Sequence, residues 1–506
     1  MPVLPAVNCV CFRGNIVYIL SSMKETLYGG IAQTLLRAID TGTYREGDRI
    51  PSIRAMSGKL GVSVNTVKEA YSLLESQRYI EGRPQSGFFV RRRILPLART
   101  PQDESETLDP TKMSICRILG PLQDRSGGSG LRPSLAIVDP ELLPEKRLNH
   151  HLVEQTRLAG GRGLNYLFLP GDEGLREQIA RISLDAGIVC GSDDILITNG
   201  CTEAYHLAIQ AVCKSGDLVA VESPTYMNFG LLCEELGFRV MEIPSDPETG
   251  LNVDILRFAL KHHPIRAVLL VSNFSNPTGA ALSEERKREL VDLLEERGVP
   301  LIEDDIFGET GFGPRRPDTC KAYDRTGNVI YCSSFSKTLT SGWRIGWLLG
   351  GKYQNRIINL KALFTATTTS VTQKAVAAYL REEAYDKHLR RLRGHLARQM
   401  GCLQETVAKT FPEGTRTSRP QGGMTLWVEL PPEVNSLDLY RRALEADIGL
   451  CPGPAFSISG RFGNFLRLCS GFWNPEIAEA VARLGAMAAA QGGWTKREST
   501  ESGGAA

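Results

Sequence analysis

From about residue 135 to 491, short β-branched runs alternate with longer stretches of helical periodicity. Residues 195–198, 218–221, 267–272 and 301–302 are expected strands, and 283–297 is an expected helix between two of them. Strands separated by helices return in the same direction. The alternation therefore predicts a mainly parallel sheet covered by helices on both faces.

Charge and composition divide the rest. Residues 23–93 hold twelve Lys/Arg against seven Asp/Glu, whereas the whole chain carries only +2. The positive end is at the front, which fits a small basic module on a near-neutral body. Residues 94–134 read as a linker, with Pro96, Pro101, Pro110, Pro121 and the run Ser126-Gly127-Gly128-Ser129-Gly130. Residues 492–506 are polar, rich in Gly, Ser and Ala, and expected to be disordered. Residues 1–22 form an extension of unknown role that lacks the marks of a secretory signal. No apolar run reaches the roughly 20 residues that span a bilayer, so no membrane partner is expected. The twelve cysteines are scattered without a C-x-x-C pair. That gives no zinc knuckle or dithiol site, no expected metal ligands, and fits a reduced cytoplasm.

In the basic module, Leu27, Ile31, Leu35 and Ile39 give a first helix one apolar face. Ser52 is placed to cap a second helix ending at Leu60, and Gly61-Val62 to turn the chain. Ser63 then caps a third helix through Val67, Ala70, Leu73 and Leu74. Two helices joined this way form a helix-turn-helix, and Ser63, Asn65, Thr66 and Lys68 sit where a recognition helix meets the major groove. Residues 79–81 and 87–90 are expected to pair as a wing. The bland reading is a small helical domain with a solvated basic face. The segments IPSIR, LGVSVNTVKEAY and GRPQSGFFV resemble the winged helix of GntR-type regulators over about 23–92. The resemblance implies binding of double-stranded operator DNA through Arg54, Ser63, Asn65, Thr66 and Lys68, with Gly87 at the wing tip. Many relatives carry Arg where this chain has Val64, so sequence preference does not carry over.

The chemistry of the large module centres on Ser333-Ser334-Phe335-Ser336-Lys337 and on Arg344, seven residues further on. A lysine with hydroxyls before it and an arginine after it suits an aldehyde cofactor that bears a phosphate. Asn199-Gly200-Cys201-Thr202 is a strand running into a helix, whose N–H groups make an anion site. Tyr226 follows a strand and is placed either to stack on a planar ring or to fill the core. Asn276 lies in the turn Asn273–Gly279, and Asp304 ends a strand, either facing a pyridine nitrogen or capping a helix. Arg467 stands in an apolar strand and calls for an anionic partner, structural or ligand.

Together and in this order, these motifs resemble the fold-type I, class I/II aminotransferases over about 135–490. The resemblance implies an α/β pyridoxal 5'-phosphate (PLP)-dependent transferase fold with a smaller C-terminal α+β subdomain. It implies Lys337 as the Schiff-base lysine, Asp304 at the ring nitrogen, Asn276 at the phenolic oxygen and Tyr226 stacked on the ring. Phosphate falls to Gly200, Cys201, Thr202, Ser334, Ser336 and Arg344, and a substrate carboxylate to Arg467. Tyr166 matches the tyrosine that reaches the neighbouring subunit's phosphate. Relatives usually place a tyrosine shortly after the aspartate, where this chain has Ile306 and Phe307.

A GntR-like head on such a body resembles the MocR-type regulators. That resemblance implies a domain-swapped homodimer that senses PLP, or an amine or amino acid captured on it. The alternative is a working aminotransferase with an attached DNA-binding module.

Overall fold

The computed structural model describes residues 10–12, 15–17, 27–84, 86–91, 95–99, 131–161 and 165–493. The chain forms two compact units, Met1–Arg92 and Arg93–Ala506. Within the expected extension, β1 (Val10–Phe12) pairs antiparallel with β2 (Asn15–Val17).

The first unit continues with α1 (Leu27–Asp40), α2 (Ile53–Leu60), α3 (Val64–Ser76), β3 (Ile80–Arg83) and β4 (Gly87–Val90). Ser52 and Ser63 cap α2 and α3 by accepting from the N–H groups of Ala55 and Thr66. Gly61 closes α2 in the left-handed region, with φ +64°. Ile31, Leu35 and Ile39 of α1 are buried, as are Val67, Ala70, Tyr71 and Leu74 of α3. β3 and β4 pair antiparallel as the wing. Tyr71 donates to the Pro51 carbonyl at 2.6 Å and meets Phe88 edge-on, tying the helices to the wing.

The second unit begins with α4 (Glu145–Ala159) and α5 (Glu173–Ser183), then enters the alternation. β5 (Ile195–Asn199), α6 (Gly200–Val212), β6 (Leu218–Ser223) and α7 (Met227–Glu235) come first. They are followed by β7 (Arg239–Asp246), β8 (Gly250–Leu251), α8 (Val253–His262), β9 (Ile265–Leu270), α9 (Glu284–Arg297), β10 (Leu301–Asp304), β11 (Val329–Ser334) and β12 (Ile345–Leu349). These strands make one sheet in the order β5-β12-β11-β10-β9-β6-β7-β8. The run from β11 to β7 is parallel throughout. β12 runs against both of its neighbours, and β8 against β7, so the sheet is mixed but mainly parallel. The strand expected at 267–272 lies two residues earlier, at 265–270, because the chain beyond Leu270 has already turned into the Asn273–Gly279 loop.

Helices α10 (Gln354–Phe364), α11 (Ser370–Glu382) and α12 (Tyr385–Thr410) lead to the smaller C-terminal part. There β13 (Arg416–Thr417), β14 (Thr425–Glu429), β15 (Cys451–Pro452) and β16 (Phe465–Cys469) form a four-stranded antiparallel sheet. It packs with α13 (Ser436–Glu445), α14 (Pro475–Gln491) and α12 around a shared apolar cluster.

The segment expected to be linker is anchored at both ends. Leu97 bridges Thr417, and the Arg99 guanidinium pairs with Glu429. Leu131 exchanges backbone bonds with Asp447 and Gly449. The Pro/Gly/Ser signal marks residues 101–130, which lie outside the described residues, as does the expected disordered tail from 494 onward. Buried Trp427 packs against Phe456, Phe462 and Phe465, with ring centroids 5.3, 5.8 and 5.4 Å away. Trp427→Ala is expected to lower the stability of the second unit by about 3–5 kcal/mol, read from urea denaturation, while the unfolding of the first unit stays in place.

Candidate functional site

The C-terminal ends of the parallel strands converge on Lys337, which follows β11. Its ammonium donates to the Ala136 carbonyl at 2.5 Å and lies 5.6 Å from the centre of the Phe307 ring. Burial, aided by the positive Arg467 and Arg344, lowers its pKa to about 8; Cys469 and Asp304 oppose the fall. The loop it stands on is held from α12. Tyr385 donates to the Thr338 hydroxyl at 3.0 Å, and His388 contacts the Thr338 carbonyl at 2.6 Å.

Asp304, at the end of β10, is buried. Its Oδ1 accepts from the Cys201 thiol at 3.2 Å and from the Ile306 N–H at 3.0 Å. Burial raises this carboxyl to about 6, against the pull of those two bonds; Asp305 adds to the rise and Lys337 opposes it. Beside it on β6, burial pushes the Glu222 carboxyl up to about 8, although Ser275 and the Val271 N–H both donate to it.

Arg467 reaches the same space from β16. It donates to Asn276 Oδ1 at 2.9 Å and to the Ser134 carbonyl at 2.7 Å, and it lies 5.0 Å from the Phe456 ring. Its Nε is buried without a hydrogen-bond partner. The anionic partner expected from sequence is not a protein group: among the described residues no carboxylate pairs with Arg467. Its partners are the neutral Asn276 and Ser134 oxygens and the Cys469 thiol, so its charge is left without a counter-ion among the described residues.

The phosphate-type features gather where β5 enters α6. Gly200 has φ +79°, and a Cβ there would lie 2.3 Å from Arg344 Nη2. A Cβ on Gly346 would lie 2.5 Å from the Gly200 carbonyl carbon. Both positions must stay glycine for β12 and the start of α6 to meet this closely. Arg344 is exposed, also has positive φ (54°), and donates to the Asn199 carbonyl at 3.3 Å. Cys201 is buried and Thr202 exposed at the first turn of α6, while Ser334 and Ser336 are buried at the end of β11. Ser334 Oγ accepts from the Ser336 N–H. Tyr226 stands before α7, its hydroxyl accepting from Asn228, and burial raises its pKa to about 12. Tyr166 is 76 % exposed.

This donor set fits PLP. It offers a half-buried lysine of lowered pKa, a buried carboxylate, a guanidinium without an anion, and a glycine-lined helix start. Sequence reasoning missed the Ser134 and Ala136 carbonyls, which carry no side-chain signal. It also missed the Cys201–Asp304 bond and the hold of Tyr385 and His388 on Thr338.

In the first unit, Arg54, Ser63, Asn65 and Lys68 are exposed on α2 and the start of α3; Thr66 is half-buried against Ser63. Val64 is 48 % exposed among them. Gly87 has φ +104°, and a Cβ there would lie 3.1 Å from Arg49 Nε.

Residues 135–484 match the family of aminotransferases class I and II, and residues 27–90 the gntR family of bacterial regulatory proteins. The uncharacterized HTH-type transcriptional regulator YjiR of Escherichia coli (strain K12) is 36% identical over 91% of this chain and 98% of its own. The 2-aminoadipate transaminase of Thermus thermophilus is 30% identical over 68% of this chain and 87% of its own. Among solved structures, LysN, the α-aminoadipate aminotransferase of Thermus thermophilus complexed with N-(5'-phosphopyridoxyl)-L-leucine, superposes with a TM-score of 0.67. It is 28% identical and covers 76% of this chain and all of its own. The kynurenine aminotransferase of Pyrococcus horikoshii gives 0.69 at 27% identity, over 75% of this chain and 95% of its own.

The fold and site define a PLP-dependent aminotransferase class I and II body carrying a gntR-type head. The chain belongs to the MocR-like HTH-type transcriptional regulators built on that plan. No helix among the described residues is long and apolar enough to cross a membrane.

With a pKa of about 8, about a tenth of the Lys337 amine is neutral at pH 7, against fewer than about one in a thousand for an ordinary lysine. Uptake of PLP by protein dialysed free of it is therefore expected to quicken as pH rises, with a midpoint near 8. Stopped-flow absorbance checks this, and a midpoint at the ordinary lysine value of 10.5 would contradict it.

Proposed function

We propose that the large unit binds PLP through Lys337 and senses the cofactor, or an amine or amino acid captured on it, to control how the winged helices engage an operator. The single observation that carries this reading is Arg467. It is a buried guanidinium beside Lys337 whose partners are an amide oxygen, a carbonyl oxygen and the Cys469 thiol, all neutral, leaving a carboxylate to arrive with a ligand.

Asp304 would face the ring nitrogen, Asn276 the phenolic oxygen and Tyr226 the ring face. Gly200, Cys201, Thr202, Ser334, Ser336 and Arg344 would hold the phosphate. When bound, PLP supplies an aldehyde that captures amines and a ring that withdraws electrons. This chain's own residues do the rest. Lys337 keeps an amine that is neutral more often than usual. Asp304 holds negative charge in a dry pocket. Arg467 selects ligands by their carboxylate. Phe307 lines the Lys337 side with an apolar ring where relatives usually have a hydroxyl, which favours capture of a ligand over rapid turnover.

Exposed Leu158, Tyr166, Phe168, Leu363 and Phe364 support a homodimer, domain-swapped in this reading, in which Tyr166 reaches the partner's phosphate site. A ligand changes DNA engagement only through different affinity for two arrangements of that dimer. Arg54, Ser63, Asn65, Thr66 and Lys68, with Gly87 at the wing, would meet the DNA.

The second reading, a working aminotransferase, is favoured by the convergence of Lys337, Asp304 and Arg467. Repeated turnover with an amino acid and 2-oxoglutarate, without any effect on DNA, would decide for it.

Two outcomes test the proposal. Lys337→Ala is expected to lose the visible absorbance of bound PLP while still binding DNA from upstream of a neighbouring operon; an unchanged spectrum would overturn it. Arg54→Ala and Lys68→Ala are each expected to weaken that DNA binding and to reduce the slope of log affinity against log salt by about 1.

A further inference from the structure

Helices α4 and α11 meet at His151. Its side chain is 3% exposed, yet neither ring nitrogen has a hydrogen-bond partner. Burying an imidazole in that state is costly, and such groups call for an explanation. What faces it is mainly carboxylate, with Arg147 pairing with Glu383 from the far side at 3.5 Å. Nδ1 lies 3.8 Å from Glu154 Oε2, one turn along α4, and 3.9 Å from Glu382 Oε2 at the end of α11. Nε2 lies 3.6 Å from Glu383 Oε1. All of these separations are too long for hydrogen bonds.

We propose that His151 Nδ1, Glu154 and Glu382 bind a divalent transition-metal ion, of which zinc fits best, at a site separate from the Lys337 pocket. Ligands about 2.1 Å from zinc lie about 3.4 Å apart in a tetrahedron; the three ligand atoms here lie within 4.8 Å of one another, so shifts of the two half-exposed glutamate side chains of about an ångström close the set around an ion. The free fourth position faces water, since Glu154 and Glu382 are about half exposed.

Four further features agree. Glu383 stands at the opposite ring nitrogen. When Nε2–H donates to it, the Nδ1 lone pair is directed at the two ligand carboxylates. Glu382 uses Oε1 for Arg381, at 2.7 Å, and keeps Oε2 for the site. Two glutamates at the C-terminus of α11 oppose the helix dipole, which favours a cation there instead. The ring is also braced edge-on by Tyr379 and by His150, at 6.2 and 5.6 Å.

The test uses the full-length protein stripped with chelator, equilibrated with zinc chloride in phosphate-free buffer and gel-filtered, with zinc measured by mass spectrometry. The wild type is expected to retain about one zinc per chain more than His151→Ala. Glu154→Gln and Glu382→Gln change exposed groups, so their fold is expected to survive, and they should lose the same ion. Glu383→Gln is expected to keep the site with affinity lowered about 10-fold. Zinc should raise the melting temperature of the wild type and leave that of Glu382→Gln unmoved. A wild type that retains no zinc overturns the proposal, as do Glu154→Gln and Glu382→Gln variants that hold as much as the wild type does.

Discussion

Two cationic side chains, buried Arg467 and half-buried Lys337, stand together at the C-terminal edge of a mainly parallel sheet, with the Asp304 carboxylate acting on the lysine from the same pocket. Water solvates them poorly there, and their mutual repulsion adds to the cost. Part of that cost is met by making the lysine less basic, with its pKa near 8. Part is met by neutral acceptors: the Ala136 carbonyl for Lys337, and the Ser134 carbonyl and Asn276 amide for Arg467. The remainder stays unmet, as the orphaned Nε of Arg467 records. A site of this kind gains by accepting an anion, and that preference underlies the functional reading.

The fold holds this arrangement by convergence from distant parts of the chain. β10 brings Asp304, the loop after β9 brings Asn276, the turn after β11 brings Lys337, and β16 brings Arg467. The segment before α4 closes the site with two backbone oxygens. Gly200 and Gly346 let β12 lie against the first turn of α6, so that helix N–H groups and Arg344 share one end of the pocket. None of these groups is positioned by a neighbour in sequence alone. The pocket is therefore sensitive to packing across the whole second unit.

Much of this was legible from residue order. The helix-turn-helix followed from Ser52, Gly61 and Ser63, because caps and a left-handed glycine act locally. The alternating strands and helices of the body were legible for the same reason. Lys337, Asp304 and Asn276 drew notice because each stands at a strand end or in a turn beside one, and Arg467 because a guanidinium in the middle of an apolar strand is out of place. What escaped was contact made through backbone oxygens or across long separations. The Ser134 and Ala136 carbonyls have no side-chain signature, and a Pro- and Gly-rich stretch concealed that its end packs into the body. The sequence led us to expect an anionic partner for Arg467. That no protein carboxylate among the described residues meets it is visible only in three dimensions. His151 gave no signal either, because two of its three carboxylates, Glu382 and Glu383, stand at the end of a helix more than two hundred residues away.

The most direct measurement is chemical. Full-length protein incubated with PLP is reduced with borohydride, digested, and its peptides mapped by mass spectrometry. The account predicts a phosphopyridoxyl group on the peptide that contains Lys337, in amount close to one per chain. Label spread over surface lysines, with that peptide unmodified, would contradict it.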